Sequence, residues 1–240
     1  MQDAPTQAPT LPATATSSIT QPAGEESLLP STVTLSGAQG LELKGTFTPA
    51  GDATVPAMLL LHMYGIDRRS WEPFAEDLAA AGIASLAIDL RGHGDTGGAE
   101  DWELAQEDVA AAFSWLRARP GVDPSRVGLV GASIGANLGL VQAAAHPDEV
   151  AAAALLSPGL DYFRVRIDGL VGPAAGVPLF LVATEDDGYS AETVRSLATQ
   201  SPGDPLLVVN DGSAHGTDMF SGRPELAGQL IRFLQQAFGQ

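Results

Sequence analysis

The chain has 240 residues, enough for one large domain, and a formal net charge of −17 with a single lysine, Lys44. Its arginines are scattered, so no basic patch can form a nucleic-acid surface, and anionic lipid headgroups would be repelled. Cysteine is absent, which removes disulfides and thiolate metal sites, and no apolar run approaches the length of a membrane span.

Residues 2 to about 30 are rich in Pro, Thr, Ala, Ser and Gln. Such a segment buries too little surface to offset its ordering entropy. A disordered linker over 1–30 is therefore expected, followed by one folded domain over 31–240. Thr32–Leu35 and Leu41–Phe47 alternate apolar and polar residues around Gly37 and Gly40, which predicts an antiparallel hairpin. Ala57–His62 is continuously apolar up to its last residue, as in a strand buried on both faces. Trp71, Phe74, Leu78 and Ala81 recur at helical spacing up to Gly82, and Ile83–Ile88 reads as the next strand. Trp102, Ala105, Val109, Ala112, Phe113 and Leu116 make one helical face that stops before Pro120.

Val127–Val130 then runs into Gly131-Ala132-Ser133-Ile134-Gly135, and an apolar helix is expected over Ile134–Ala145. Ala152–Leu156 is a strand, followed by an irregular stretch to Val177 that is too short for a helical lid, so an open site is expected. Pro178–Ala183 and Pro205–Val209 are strands separated by a helix beginning near Ser190, a suitable N-cap. Glu225–Phe238 is the terminal helix. This alternation predicts an α/β fold with a mostly parallel, doubly wound, eight-stranded sheet, an N-terminal antiparallel hairpin and no cap domain. Reactive groups belong at the carboxyl ends of its strands.

The chemistry concentrates there. G-x-S-x-G between strand and helix places a serine on a turn so sharp that its hydroxyl projects and neighbouring side chains are excluded. The helix start aims unpaired N–H groups at charge forming beside the serine. A serine hydroxyl needs a neighbouring base, and the base needs an orienting acid. Thr184-Glu185-Asp186-Asp187-Gly188 follows one strand and Ala214-His215-Gly216 follows the next, giving the order Ser, Asp, His.

These motifs, with Leu61-His62-Met63-Tyr64-Gly65 and Asp89-Leu90-Arg91-Gly92-His93-Gly94, resemble the α/β-hydrolase superfamily, in particular its small, lidless serine esterases and dienelactone-hydrolase-like members. The resemblance runs from about Val33 to the C-terminus. It departs at Met63, where the family commonly has glycine. It implies a triad of Ser133, His215 and Asp186. The acid is taken as the third residue after the small Ala183 that closes the strand, with Asp187 as the alternative and Asp161 a remoter one. His62 and His93 would support loops around the site, and His146 ends a helix. The oxyanion hole would use the N–H of Ile134 together with that of Tyr64 or, given the departure, Met63.

The activity so implied is cleavage of carboxylic esters through an acyl-enzyme, with small-molecule or polymeric esters as substrates and no cofactor or metal. Other triad chemistries remain open: peptidase, thioesterase, acyltransferase or cofactor-free haloperoxidase. A non-enzymatic binding protein would have no need of all three triad residues. The N-terminal composition resembles the tether after the lipid-anchored cysteine of bacterial surface lipoproteins, or a segment behind a cleaved secretory signal. That implies an extracytoplasmic protein, with any lipid anchor lying upstream; the alternative is a cytoplasmic one.

Overall fold

The structure, a computed structural model, describes residues 29–51 and 53–239. The linker expected over 1–30 lies outside the described residues apart from Leu29 and Pro30. β1 (Ser31–Ser36) and β2 (Glu42–Thr48) form the expected antiparallel hairpin, with Ser36 opposite Glu42. Next come β3 (Val55–Leu61), α1 (Glu72–Ala80), β4 (Ala84–Ile88), α2 (Trp102–Arg117), β5 (Val122–Ala132) and α3 (Ile134–Ala145). β6 (Ala153–Leu156) leads into a small ribbon, β7 (Asp161–Tyr162) and β8 (Val165–Arg166). The chain finishes with β9 (Leu179–Thr184), α4 (Gly188–Gln200), β10 (Leu206–Asn210), α5 (Asp218–Gly222) and α6 (Pro224–Ala237).

Eight strands form one sheet in the order β1-β2-β4-β3-β5-β6-β9-β10. β2 meets β4 antiparallel, and every pair from β4 onward is parallel. The period of two in each strand sorts its side chains between two cores. Leu59, Leu61, Leu129 and Leu155 join Val109, Phe113, Leu138 and Val194 from α2, α3 and α4. Met58, Leu60, Val130 and Val182 face the other way, against Phe74 and Leu78 of α1 and Leu226, Leu230 and Leu234 of α6. The central strands are thus covered on both faces, which is why they read as unbroken apolar runs rather than alternating ones.

One local expectation is corrected. The helix after β9 begins at Gly188, with Asp187 at the capping position, and Ser190 is buried inside its first turn. The stretch after β6 carries no helical lid, but it does carry the β7–β8 ribbon, and Ser133 is only 8 % exposed. Among the described residues, no helix is long and apolar enough to cross a membrane.

Parallel register fixes where the site must be. Leu61 pairs with Gly131, Gly131 with Leu155, Leu156 with Val182, and Thr184 with Asn210. The loops that follow β3, β5, β6, β9 and β10 therefore leave the sheet side by side at its carboxyl edge.

Candidate active site

Ser133 joins β5 to α3 with φ 53° and ψ −120°, a conformation costly for any residue with a side chain. The flanking glycines explain how it is held. A Cβ on Gly131 would drive into the carbonyl of Gly135, and a Cβ on Gly135 would drive into the carbonyls of Leu61 and His62. Strand, elbow and helix start are packed backbone to backbone, and only glycine fits on either side. Ser133 N–H is tied to the Leu156 carbonyl at 2.8 Å. Ile134 is the first residue of α3, so its N–H has no acceptor within the helix. The His62-Met63-Tyr64-Gly65 turn lies against this elbow through the same carbonyl contacts.

The three consecutive acids separate cleanly. Glu185 takes both of its oxygens to Arg195, at 2.6 and 2.7 Å. Asp186 gives its N–H to the Gly212 carbonyl at 2.9 Å, and its side chain is exposed. Asp187 turns inward, and its Oδ2 lies 2.7 Å from Nδ1 of His215. The pairing expected of Asp186 is therefore corrected to Asp187. The cause is register: β9 continues through Thr184 rather than stopping at Ala183, so a count of three from the strand's last residue reaches Asp187. Asp161 does not approach the histidine as its acid; its Oδ1 accepts the N–H of Arg164 at 2.9 Å across the ribbon turn.

Several contacts fix the histidine loop. The Thr184 hydroxyl donates to the Ala214 carbonyl at 2.8 Å, joining the acid loop to the histidine loop. Gly216 N–H donates to Oγ of the fully buried Ser157 at 3.0 Å. A Cβ at Gly216 would stand 3.3 Å from Ala132, which brings this loop against the residue before Ser133. Ser157 was not legible as a site residue. It too has positive φ, at 50°, and its hydroxyl supports the histidine from the next strand over.

Neither His62 nor His93 competes for the role of base. Nδ1 of His62 donates to the Met63 carbonyl at 2.7 Å, and its Nε2 accepts the Leu90 N–H at 2.9 Å, so both nitrogens are engaged. Burial, only partly opposed by that carbonyl, pushes its pKa down to about 4. His93 hydrogen-bonds the Arg91 carbonyl at 3.0 Å through Nδ1 and packs against His62 and Tyr64. The loop that holds it is built around the buried Asp89 carboxylate. That carboxylate pairs with Arg68 and accepts the N–H groups of Arg68 (2.9 Å) and Asp95 (2.7 Å). His146 sits exposed at the end of α3.

The ribbon adds a residue that the sequence did not single out. Tyr162 places its hydroxyl 3.1 Å from Oγ of Ser190, and its ring meets His215 edge-on at 6.4 Å. Burial raises its phenol above the ordinary tyrosine range despite the hydrogen bond with Ser190. Asn137, fully buried one turn into α3, clamps the ribbon to the nucleophile helix. Its Nδ2 donates to the carbonyls of Gly159 (2.7 Å) and Val165 (2.8 Å), and its Oδ1 accepts the Gly159 N–H at 3.2 Å. A Cβ at Gly159 would stand 2.6 Å from the rings of both Tyr162 and Tyr189, so glycine there admits both.

A strained serine after the fifth strand, with an acid–histidine pair carried on the last two strands of such a sheet, defines an α/β-hydrolase framework. Comparison with known proteins agrees. Residues 56–212 match the family model for the alpha/beta hydrolase fold, and the chain belongs to that family. Over 120 residues it is 32 % identical to the uncharacterized protein Rv2307c of Mycobacterium tuberculosis, a match covering 50 % of this chain and 42 % of that one. The chain thus spans less than half the length of this relative. The fold resembles that of the esterase Pf2001 of Pyrococcus furiosus (TM-score 0.72, 19 % identity, covering 87 % of this chain and 93 % of that one). It also resembles that of a dienelactone hydrolase from Anabaena variabilis (TM-score 0.69, 23 % identity, covering 87 % and 96 %).

Proposed function

We propose that the protein is a serine hydrolase that cleaves carboxylic esters through an acyl-enzyme, with Ser133, His215 and Asp187 as its triad. The observation that carries this reading is the 2.7 Å contact between Asp187 and Nδ1 of His215, on loops packed beside the strained Ser133 elbow. In this reading Asp187 holds the proton on Nδ1, which leaves the Nε2 lone pair as the base. Ser133 Oγ attacks the ester carbonyl as its proton passes to Nε2. That proton is then delivered to the departing alcohol. Water, activated by the same nitrogen, releases the acid and restores the serine. Charge on the carbonyl oxygen is met by the N–H of Ile134 and by that of Tyr64 or Met63.

Membership of a hydrolase family and the esterase and dienelactone hydrolase among its structural neighbours support this reading. A neutral ester suits the acidic chain better than an anion. A hollow of about 600 Å³ between the starts of β9 and β10 and the end of α6 lies at the opposite edge of the sheet and gathers no serine or histidine.

The test is covalent labelling. A fluorophosphonate probe should modify Ser133, located by peptide mass spectrometry, and Ser133→Ala should lose both the label and hydrolysis of p-nitrophenyl acetate. Loss of roughly 10⁶-fold in turnover is expected from triad enzymes in general. Label appearing elsewhere, or an alanine variant that turns over normally, would remove Ser133 from the chemistry.

A further inference from the structure

The chain has three tyrosines: Tyr64 on the loop after β3, Tyr162 in the ribbon and Tyr189 at the start of α4. Tyr64 is 48 % exposed and Phe163 is 47 % exposed. They belong to one continuous patch. Phe163 stacks on Trp102 with centroids 5.0 Å apart and planes 18° apart, and it lies 4.9 Å from Tyr64. Tyr64 in turn meets His93 edge-on at 5.4 Å. The patch starts one residue from Tyr162, whose ring meets His215 edge-on at 6.4 Å, and it ends on the loop after β3 that packs against the elbow.

The backbone is strained to present it. Phe163 and Arg164 have φ of 52° and 70°, the left-handed pair at the centre of a tight ribbon turn where glycine and asparagine are preferred. A phenylalanine held in that conformation, with half its surface in water, would be removed by ordinary packing considerations. Asn137 and the Tyr189 hydroxyl, which accepts the Asp161 N–H at 2.9 Å, hold the turn in place from behind. No exposed aliphatic side chain interrupts the patch. Its flat faces and ring edges fit a further planar ring in offset or edge-on contact at 4.5–7 Å, rather than a flexible chain.

We propose that Tyr64, Phe163 and Trp102 form a subsite for a planar aromatic group, so that the ester cleaved at Ser133 carries an aryl ring on its acyl or its alcohol arm. This rests on the serine-hydrolase reading. The ring would stack beside Phe163 while the ester carbonyl lies between Ser133 and the Ile134 N–H.

The test compares rings of similar size but different planarity, each pair sharing the other half of the ester. Methyl phenylacetate against methyl cyclohexylacetate probes the acyl arm; benzyl acetate against cyclohexylmethyl acetate probes the alcohol arm. In one arm the aromatic ester should have a kcat/KM about tenfold higher, the size expected of one good ring–ring contact. That ratio should collapse to about two or below in Phe163→Leu and again in Trp102→Leu. Melting temperature should be measured for both variants, because a purely structural role for Phe163 would slow both ring types alike and leave the ratio intact. An unchanged ratio in both variants, or a labelled enzyme with no aromatic preference in either arm, overturns the subsite alone. Failure of the fluorophosphonate to label Ser133 overturns the hydrolase reading and the subsite with it.

Discussion

The elbow that carries Ser133 and the loop that carries Asp187 place two partners of the proposed triad, but different physics holds each of them. At the elbow the constraint is steric. Gly131 and Gly135 are enclosed by backbone atoms, and no other residue type fits either position. At the acid loop the constraint is a chain of hydrogen bonds: Glu185 N–H to Asn210, Asp186 N–H to Gly212, and the Thr184 hydroxyl to Ala214. Three carboxylates in succession could each satisfy the chemistry of a triad acid, and only the length of β9 decides which one turns inward. Steric exclusion leaves its mark on residue identity. Hydrogen-bond register does not.

The largest effect expected from this contrast tests the register. Asp187→Asn should keep the fold but lose the anchor of the Nδ1 proton, costing up to roughly 10⁴-fold in turnover. Asp186→Asn should stay within about twofold, because a solvated carboxylate contributes little to its surroundings. Steady-state kinetics on one ester settles the pair. A reversal of the two would mean that the acid loop shifts by one residue in solution, and equal small losses would leave His215 oriented by something else.

The steric side of the comparison breaks through stability. Gly135→Ala places a methyl group against the carbonyls of Leu61 and His62, which as backbone cannot yield cheaply. A loss on the order of 3 kcal/mol is expected, which for a domain of this size lowers the melting temperature by about 6–12 °C. Gly188→Ala, at the start of α4 with nothing crowding its Cβ position, is the control and should melt within a degree or two of wild type. Similar melting of the two variants would show that the elbow relaxes more readily than its packing implies.

The same contrast explains what was legible in the sequence. The bounds of α3, the parallel strands and the positions of Ser133 and His215 all follow from apolar runs and from glycines that sterics demand. The β7–β8 ribbon was hidden because its turn uses Phe163 and Arg164 where glycine or asparagine would have signalled it. Asn137 was hidden because a single amide in an apolar helix looks the same whether it faces solvent or clamps a loop. Ser157 was hidden because strain at a strand end has no sequence signature. One signal was available: Tyr162 and Phe163 are adjacent aromatics in a stretch with neither helical nor strand periodicity, in a chain with few aromatic residues.

The ribbon lies between the two extremes, tied down by polar contacts inside a buried setting. Asn137→Ala would leave the Gly159 and Val165 carbonyls and the Gly159 N–H without partners, a loss of about 2–4 kcal/mol concentrated on the ribbon. Hydrogen exchange should speed up over residues 159–167 while β5 keeps its protection, because local opening need not involve the core. Uniform acceleration across β5 and α3 would instead make Asn137 part of the global core.

The smallest effect at neutral pH concerns His62, where hydrogen bonding and burial act together. Its pKa in the folded protein is about 4, against 6.5 for the unperturbed group. Above pH 6.5 both folded and unfolded chains carry a neutral imidazole, and the bonds to Met63 and Leu90 contribute in full. Between 6.5 and 4 the unfolded chain takes up a proton that the folded one refuses, so stability falls as the pH falls. The total should approach about 3 kcal/mol once the pH reaches the folded pKa. His62→Phe keeps a buried ring but cannot titrate, and it leaves the Leu90 N–H unpaired at every pH. The stability gap between wild type and this variant, measured by urea unfolding, should be widest above pH 6.5 and narrow steadily toward pH 4. The carboxylates titrate in both proteins and cancel in that difference. A gap that stays constant from pH 7 to pH 4 would mean that His62 keeps an ordinary affinity for protons, and that the loop after β3 opens to water more easily than its packing against the elbow implies.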